Sequence, residues 1–364
     1  MTAQPVADLH LDTVLEIQAG ADLGAGNAEG HVDLDRMRAG GAGLLAFAAY
    51  VPSVLPVGRA FPEAIALLDH VDRTCARFPT HLAKIGGAAD AEAAVAAGKT
   101  GILPAVENGH AIESDLGKLE ALRRRGARYL TLTHARHLPW AASSGEEGAG
   151  PGGLTAFGRE VVRAMESLGM IVDVSHVHET TFWDVTRVAR KPFIASHSCC
   201  SALCPLPRNL TDDQIRAIAA SGGMVGISFS PGFLDPRYFP RVGASLTEMF
   251  RELEAVERTF ADDPARKQAE WHRMGRTVRE RLGPAEANAS SIAAHVRHVV
   301  DLVGDDSVGF GSDFDGFLDL PRDVPGCDAY PRILDALRAA GLGEESVRKI
   351  AWGNFVRVLK ATGE

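Results

Sequence analysis

Apolar and polar positions along the chain fall into two alternating patterns. Eight short runs bounded by Gly and Pro are continuously apolar or alternate with period two: VADLHLD (6–12), GLLAFAAYV (43–51), GILPAVEN (101–108), RYLTLTH (128–134), MIVDVSH (170–176), PFIASHS (192–198), MVGISFS (224–230) and VGFGSDF (308–314). Each predicts a strand. Between most of them the apolar period lengthens to that of an amphipathic helix, as in DLGKLEALRRRG, LTAFGREVVRAMESLG and TDDQIRAIAASGG, where Thr211 is an N-cap residue followed by Asp212 and Asp213. Strands alternating with helices, with no Ser/Gly linker between halves, predict a parallel sheet. Eight such units predict an α/β fold, a closed (β/α)8 barrel of one domain spanning 1–364. A doubly wound open sheet is the rival, but no GxGxxG follows the first strand.

One stretch departs from this rhythm. From Pro231 to about Asn288, after the seventh strand, SLTEMFRELEAVERTF and ARKQAEWHRMGRTVRERLG read as charged amphipathic helices in a segment too long for a simple connection. We expect a helical insertion over the barrel mouth.

Composition narrows the function classes. The 364 residues carry a formal charge of -9, which argues against a binder of nucleic-acid backbones. Five cysteines, three of them crowded at Cys199, Cys200 and Cys204, form no disulfide framework, and a reducing cytoplasm fits them. Neither a signal-peptide pattern nor a run of about 20 apolar residues is found, so a soluble protein is expected.

The polar residues at the predicted strand ends are of one chemical kind. His10 and Asp12 end the first strand, Glu107 the third, His134 the fourth, His176 the fifth, His197 the sixth and Asp313 the eighth. In a barrel these ends converge on one face. A lone strand histidine is more often a hydrogen-bonded core residue, and a lone carboxylate at a strand end is usually a cap. Six strand ends coinciding is harder to assign to packing. Imidazoles with carboxylates suit zinc or a similar divalent ion at a catalytic site. Five candidate ligands exceed the three of a single catalytic zinc, so two ions are expected, with Glu107 as the central carboxylate between them.

In order along the whole chain, these motifs resemble those of the membrane dipeptidase (renal dipeptidase) family. Asp8-Leu9-His10-Leu11-Asp12 is similar to its Asp-Gly-His-Asn-Asp, and the resemblance implies first-metal roles for His10 and Asp12. ENGH resembles the Glu-Gly-Gly-His block and implies that Glu107 bridges. LTLTH implies a substrate-contacting His134, followed by PWAASS. DVSH and ASHS imply second-metal ligands at His176 and His197. PRNLTDDQ implies a substrate-carboxylate partner at Arg208, GSDFDG a catalytic Asp313, and WGNFVRVL resembles the family's terminal helix. The chain departs from the family at Leu9, Leu11, Asn108 and Ala142, none of them a ligand position.

The resemblance therefore implies a dipeptidase with two Zn2+ per chain, using a metal-bridging hydroxide on dipeptides, with acceptance of a C-terminal D-residue left open. Its partner is a small dipeptide, with no nucleic acid or membrane, and a homodimer is left open. Two alternatives are weighed against it. An amidohydrolase-type enzyme would act on another small amide, lactone or ester, but such relatives often bridge their metals with a carboxylated lysine, and no lysine occupies a strand end. A non-catalytic metal- or partner-binding barrel would be suggested by loss of Asp313 or Arg208, and both are present. His110, His137, His178, His295 and His298 are read as packing or surface residues, and Asp173 as a group that orients a ligand histidine.

Overall fold

The computed structural model describes residues 4–148, 150–317 and 319–363. Its strands are β1 (Val6–Leu11), β2 (Ala42–Tyr50), β3 (Leu82–Lys84), β4 (Thr100–Glu107), β5 (Tyr129–Thr131), β6 (Ile171–Asp173), β7 (Ile194–Ser198), β8 (Met224–Ile227) and β9 (Val308–Phe310). All pairings between them are parallel. β1 pairs with β2 and β9, and β2 pairs with β4, so eight strands close into a barrel with helices outside. These eight are the eight apolar runs of the sequence. β3 is additional: it lies beside Thr100–Ile102 at the start of β4, and only its Leu82 is buried, so it leaves no periodic signal.

Two apolar layers hold the barrel. Interior residues such as Ala7, Leu9, Leu44, Ala46, Leu103 and Ile171 pack on Phe355, Val358 and Leu359 of the terminal helix Asn354–Thr362, which closes the floor. Leu11, Leu45, Phe47 and Val106 face the outer helices. The floor is therefore apolar, and polar side chains are left for the opposite, C-terminal rim.

Two strands reach that rim only by breaking their alternation. Asp8 pairs with Leu45 and Leu11 with Phe47, so three steps of β1 match two of β2. β7 repeats the irregularity, with Ala195 opposite Val225 and Ser198 opposite Ile227. An extra residue in a strand reverses which face the following side chains take, and bulges of this kind recur beside active sites. Ala7 and Leu9 fill the interior below the first bulge, and His10 and Asp12 enter it above. Without the bulge, regular alternation from Leu9 would turn both away.

After β8, the helices Pro231–Leu234, Tyr238–Val242, Leu246–Thr259 and Pro264–Leu282 precede the outer helix Ala289–Val303. Ser245 and Glu248 form a capping box at the first long helix, and Asp263 caps the second. Both long helices lie over the rim, where Arg136 grips Glu254 through Nε and Nη2 at 2.5 Å each and Gln268 donates to Glu16 at 2.6 Å.

Candidate active site

His10, Asp12, Glu107, His134, His176, His197 and Asp313 meet at the rim, all buried. Glu107 is the centre of the group. Its Oε2 lies 3.5 Å from His10 Nε2, while its Oε1 lies 3.1 Å from His176 Nε2 and 3.4 Å from His197 Nε2. Asp12 Oδ2 is 4.0 Å from His10 Nε2 on the first side, and the Nε2 atoms of His176 and His197 are 2.8 Å apart on the second. One carboxylate thus divides its oxygens between two sets of donor atoms. His134 stands within 4.8 Å of the ligating atoms of Glu107 and His176, and Asp313 within the same distance of those of His10 and His197.

The ring protons of two histidines follow from their neighbours. Tyr129 gives its hydroxyl proton to Leu9 O at 2.9 Å, so its oxygen accepts from His10 Nδ1 at 2.8 Å. Ser196 donates to Asp173 Oδ2 at 2.6 Å and so accepts from His197 Nδ1 at 2.8 Å. With the proton on Nδ1, each Nε2 keeps its lone pair, the form a metal requires. His10 Nε2 is buried without a hydrogen-bond partner. The donor set therefore fits divalent ions: imidazole nitrogens and carboxylate oxygens converge in a buried space, and His10 Nε2 and Asp12 Oδ1 have no hydrogen-bond partner there.

Electrostatics show what an ion would replace: without one, the surrounding carboxylates hold a second proton on His10 at Nε2, and a bound cation would take that proton's place. Burial alone would lower the pKa of His10, but Glu107, Asp12 and Asp313 outweigh it and raise it to about 10. Burial pushes His176 and His197 well below the usual range, so both are neutral as ligands must be. It raises Asp313 to about 7 against the pull of His10, and lowers His134 to about 4. The space between the carboxylates concentrates negative charge that calls for a cation.

Backbone strain is gathered here as well. His176 has φ 66°, Asp313 64° and Asp315 68°, left-handed values unusual for residues with a Cβ. A Cβ on Gly316 would stand 2.1 Å from Asp12 Oδ2 and 2.5 Å from Asp313 Oδ1, so only glycine lets the loop pass these two carboxylates. Asn108 also has a left-handed φ, 81°. Its side chain donates to Val51 O and Ser53 Oγ and accepts from His110 N, which holds the turn without glycine.

Arg208 is buried beside this group. Its Nη1 donates to Ser198 Oγ at 2.7 Å and Nη2 to His197 O at 2.6 Å, its guanidinium lies 5.3 Å over the Phe233 ring, and its Nε has no hydrogen-bond partner. Among the described residues no carboxylate forms an ion pair with it. The cleft above is about 880 Å³ including its open mouth, lined by Asp12, Glu107, His134, His176 and Asp313 below and by apolar side chains of the long helices above.

The remaining candidates have structural partners. His110 meets Leu55 O, His137 accepts from Ser143 N, His178 caps the helix Glu179–Val188, His295 accepts from Cys200 N and His298 pairs with Asp212. All five cysteines are free and buried. Asp173 orients His197 through Ser196 rather than the histidine of its own strand. Ser196 and Tyr129 escaped sequence reasoning, because hydroxyls on apolar strands carry no metal-ligand pattern; the adjacency of Ser196 to His197 was the available signal.

Known proteins share this fold. A crystal structure of a family M19 dipeptidase, described as a metallo peptidase, superposes with a TM-score of 0.79 at 28% identity, covering 98% of both chains. A metallo peptidase from Rhodobacter sphaeroides, liganded with a phosphinate mimic of the dipeptide L-Ala-D-Ala, superposes with a TM-score of 0.80 at 26% identity over 99% of both. An uncharacterized protein in the pqqA 5' region of Klebsiella pneumoniae is 34% identical over 223 residues, 60% of this chain, which spans just under two thirds (66%) of that protein's length. Among the described residues no helix is long and apolar enough to cross a membrane. The sequence model of the membrane dipeptidase family, peptidase family M19, matches residues 1–364, and the chain belongs to that family of peptide-bond hydrolases.

Proposed function

We propose that the protein is a binuclear zinc dipeptidase in which the whole chain works as one domain and the segment 231–288 roofs the active site. The observation that carries this reading is the division of the Glu107 oxygens between His10 and the His176–His197 pair. His10, Asp12 and Glu107 would hold one ion, and Glu107, His176 and His197 the other. Each set then has the three protein ligands of a catalytic zinc, which leaves His134 and Asp313 for the substrate. When bound, such ions would supply Lewis acidity, lowering the pKa of a water and polarising the scissile carbonyl.

The chain's own groups do the rest. Asp313, held near neutrality by burial, accepts the proton of the attacking water and returns it to the leaving amine. His134 is neutral at pH 7 and donates its ring N–H to the oxygen that gains charge. Arg208 receives the terminal carboxylate of the substrate. Asp313, Glu107 and Asp173 lie near enough to offset part of the guanidinium charge, but among the described residues no carboxylate pairs with it directly, and the carboxylate of a bound substrate would do so. The phosphinate dipeptide held by the Rhodobacter relative supports a dipeptide, with a C-terminal D-residue accepted.

The test is hydrolysis of a panel of L,L and L,D dipeptides by purified protein, before and after removal of metal by chelation. We expect turnover that falls to background on chelation and returns with zinc. Turnover indifferent to chelation would overturn the reading. Arg208→Ala should lower kcat/KM by tenfold to a hundredfold, the value of about 1.5–3 kcal/mol for a charged hydrogen bond. Dipeptide amides should be poor substrates of the wild type, and equal rates on amides and free acids would remove Arg208 from this role. Ser196→Ala leaves the Nδ1 proton of His197 without its acceptor and should weaken metal binding by roughly tenfold to a hundredfold in chelator competition. Unchanged affinity would show that Ser196 does not orient the ligand.

A further inference from the structure

We infer that Glu257 forms a subsite for the side chain of the dipeptide's N-terminal residue, and that it selects an aliphatic stem ending in a cationic N–H donor, an ammonium or guanidinium. The inference rests on the dipeptidase reading above. Glu257 projects from the helix Leu246–Thr259 into the cleft and is 3% exposed. Its Oε1 accepts from the Tyr50 hydroxyl at 2.8 Å, and its Oε2 is buried with no hydrogen-bond partner. Lys267 faces it from the helix Pro264–Leu282, and Glu254 and Arg258 from its own helix, yet among the described residues none forms an ion pair with it. A buried acceptor left open is costly, and a donor arriving with the substrate would satisfy it. Leu15, Leu253, Val256 and Trp271 line the same cleft and suit an alkyl stem.

Barrel topology says which end of the substrate arrives there. Tyr50 ends β2 and pairs with Glu107 on β4, whereas Arg208 follows β7. Around the ring of eight strands, β2 and β7 lie on opposite sides. A dipeptide with its carboxylate at Arg208 and its scissile bond over Glu107 therefore sends its amino-terminal residue toward Tyr50 and Glu257. Burial raises Glu257 to about 7, and a cation beside it would restore its full charge. Lys267 is the resident competitor for that carboxylate.

The experiment compares lysyl-alanine with norleucyl-alanine on the zinc-loaded full chain, using whichever alanine enantiomer is cleaved faster. Both carry the same α-ammonium and similar stems, so their kcat/KM ratio isolates the side-chain terminus. We expect a ratio of roughly ten or more for the wild type, lowered at least about tenfold in Glu257→Gln and raised in Lys267→Met. A wild-type ratio near one, or an unchanged ratio in Glu257→Gln, overturns the subsite. If neither dipeptide is cleaved, the dipeptidase reading fails by itself. The subsite is then read from the ratio of dissociation constants measured by calorimetry, and equal affinities overturn it.

Discussion

Asp313→Asn should retain its fold and metals and lose about a hundredfold to ten-thousandfold in kcat, the range that a positioned general base contributes. Asparagine can hold a water by hydrogen bonding but cannot take its proton. The neighbouring acid in the same motif provides the control. Asp315 has the same left-handed backbone, but its carboxylate accepts from Thr13 Oγ1 at 2.6 Å and from His31 N at 2.7 Å, while its own N–H donates to His31 Nδ1 at 2.8 Å. It fastens the loop after β9 to the chain following β1. Asp315→Asn turns an amide donor toward one of those two donors, so a loss of about 1–3 kcal/mol in stability is expected, with kcat falling far less than in Asp313→Asn. The comparison is kcat, metal content and melting temperature for the two variants. A fully active Asp313→Asn enzyme would end the proton-transfer role, and an inactive but stable Asp315→Asn enzyme would transfer it.

Glu107→Ala is expected to have the largest effect on metal. The wild type should purify with about two ions per chain, as a two-metal site requires. Removing the one carboxylate shared by both donor sets leaves each with two protein ligands, so occupancy should fall at both positions together and activity should fall to background. Elemental analysis and isothermal titration would distinguish the outcomes. Loss of a single ion would make Glu107 a ligand of one metal only, and full occupancy would exclude it from both. Asp12→Ala supplies the contrast, since its carboxylate lies on the His10 side alone and should affect one ion.

Some of this site was legible because strand ends carry local signals. His10, Asp12, Glu107, His134, His176, His197 and Asp313 each terminate an apolar run, and the barrel places those ends on one face. Arg208 was legible only through its PRNL motif, since it sits in a loop with no periodic context. Its lack of a direct ion pair emerges from the structure, because that depends on how near the fold brings Asp313, Glu107 and Asp173 to it. Glu257 gave no sign at all. On helical spacing it is one more charged residue in an amphipathic segment, and the strand partner that buries it, Tyr50, is 207 residues distant.

By itself the sequence determined the eight barrel strands, the intervening helices and the inventory of ligand types, since hydrophobic period and residue chemistry are local properties of the chain. Three things were decided only by tertiary structure. The facing of His10 and His197 depends on bulges in β1 and β7, where three residues' advance on one strand matches two on its neighbour, a feature that simple alternation does not contain. The tautomer of His10 depends on Tyr129, brought to it from β5 across the barrel, and that of His197 on Asp173 of the neighbouring strand β6 acting through Ser196. The division of Glu107 between two donor sets depends on strand closure, because β1, β6 and β7 must surround β4 before one carboxylate can touch all three. Each is a relation between strands, and such relations exist only once the ring has closed.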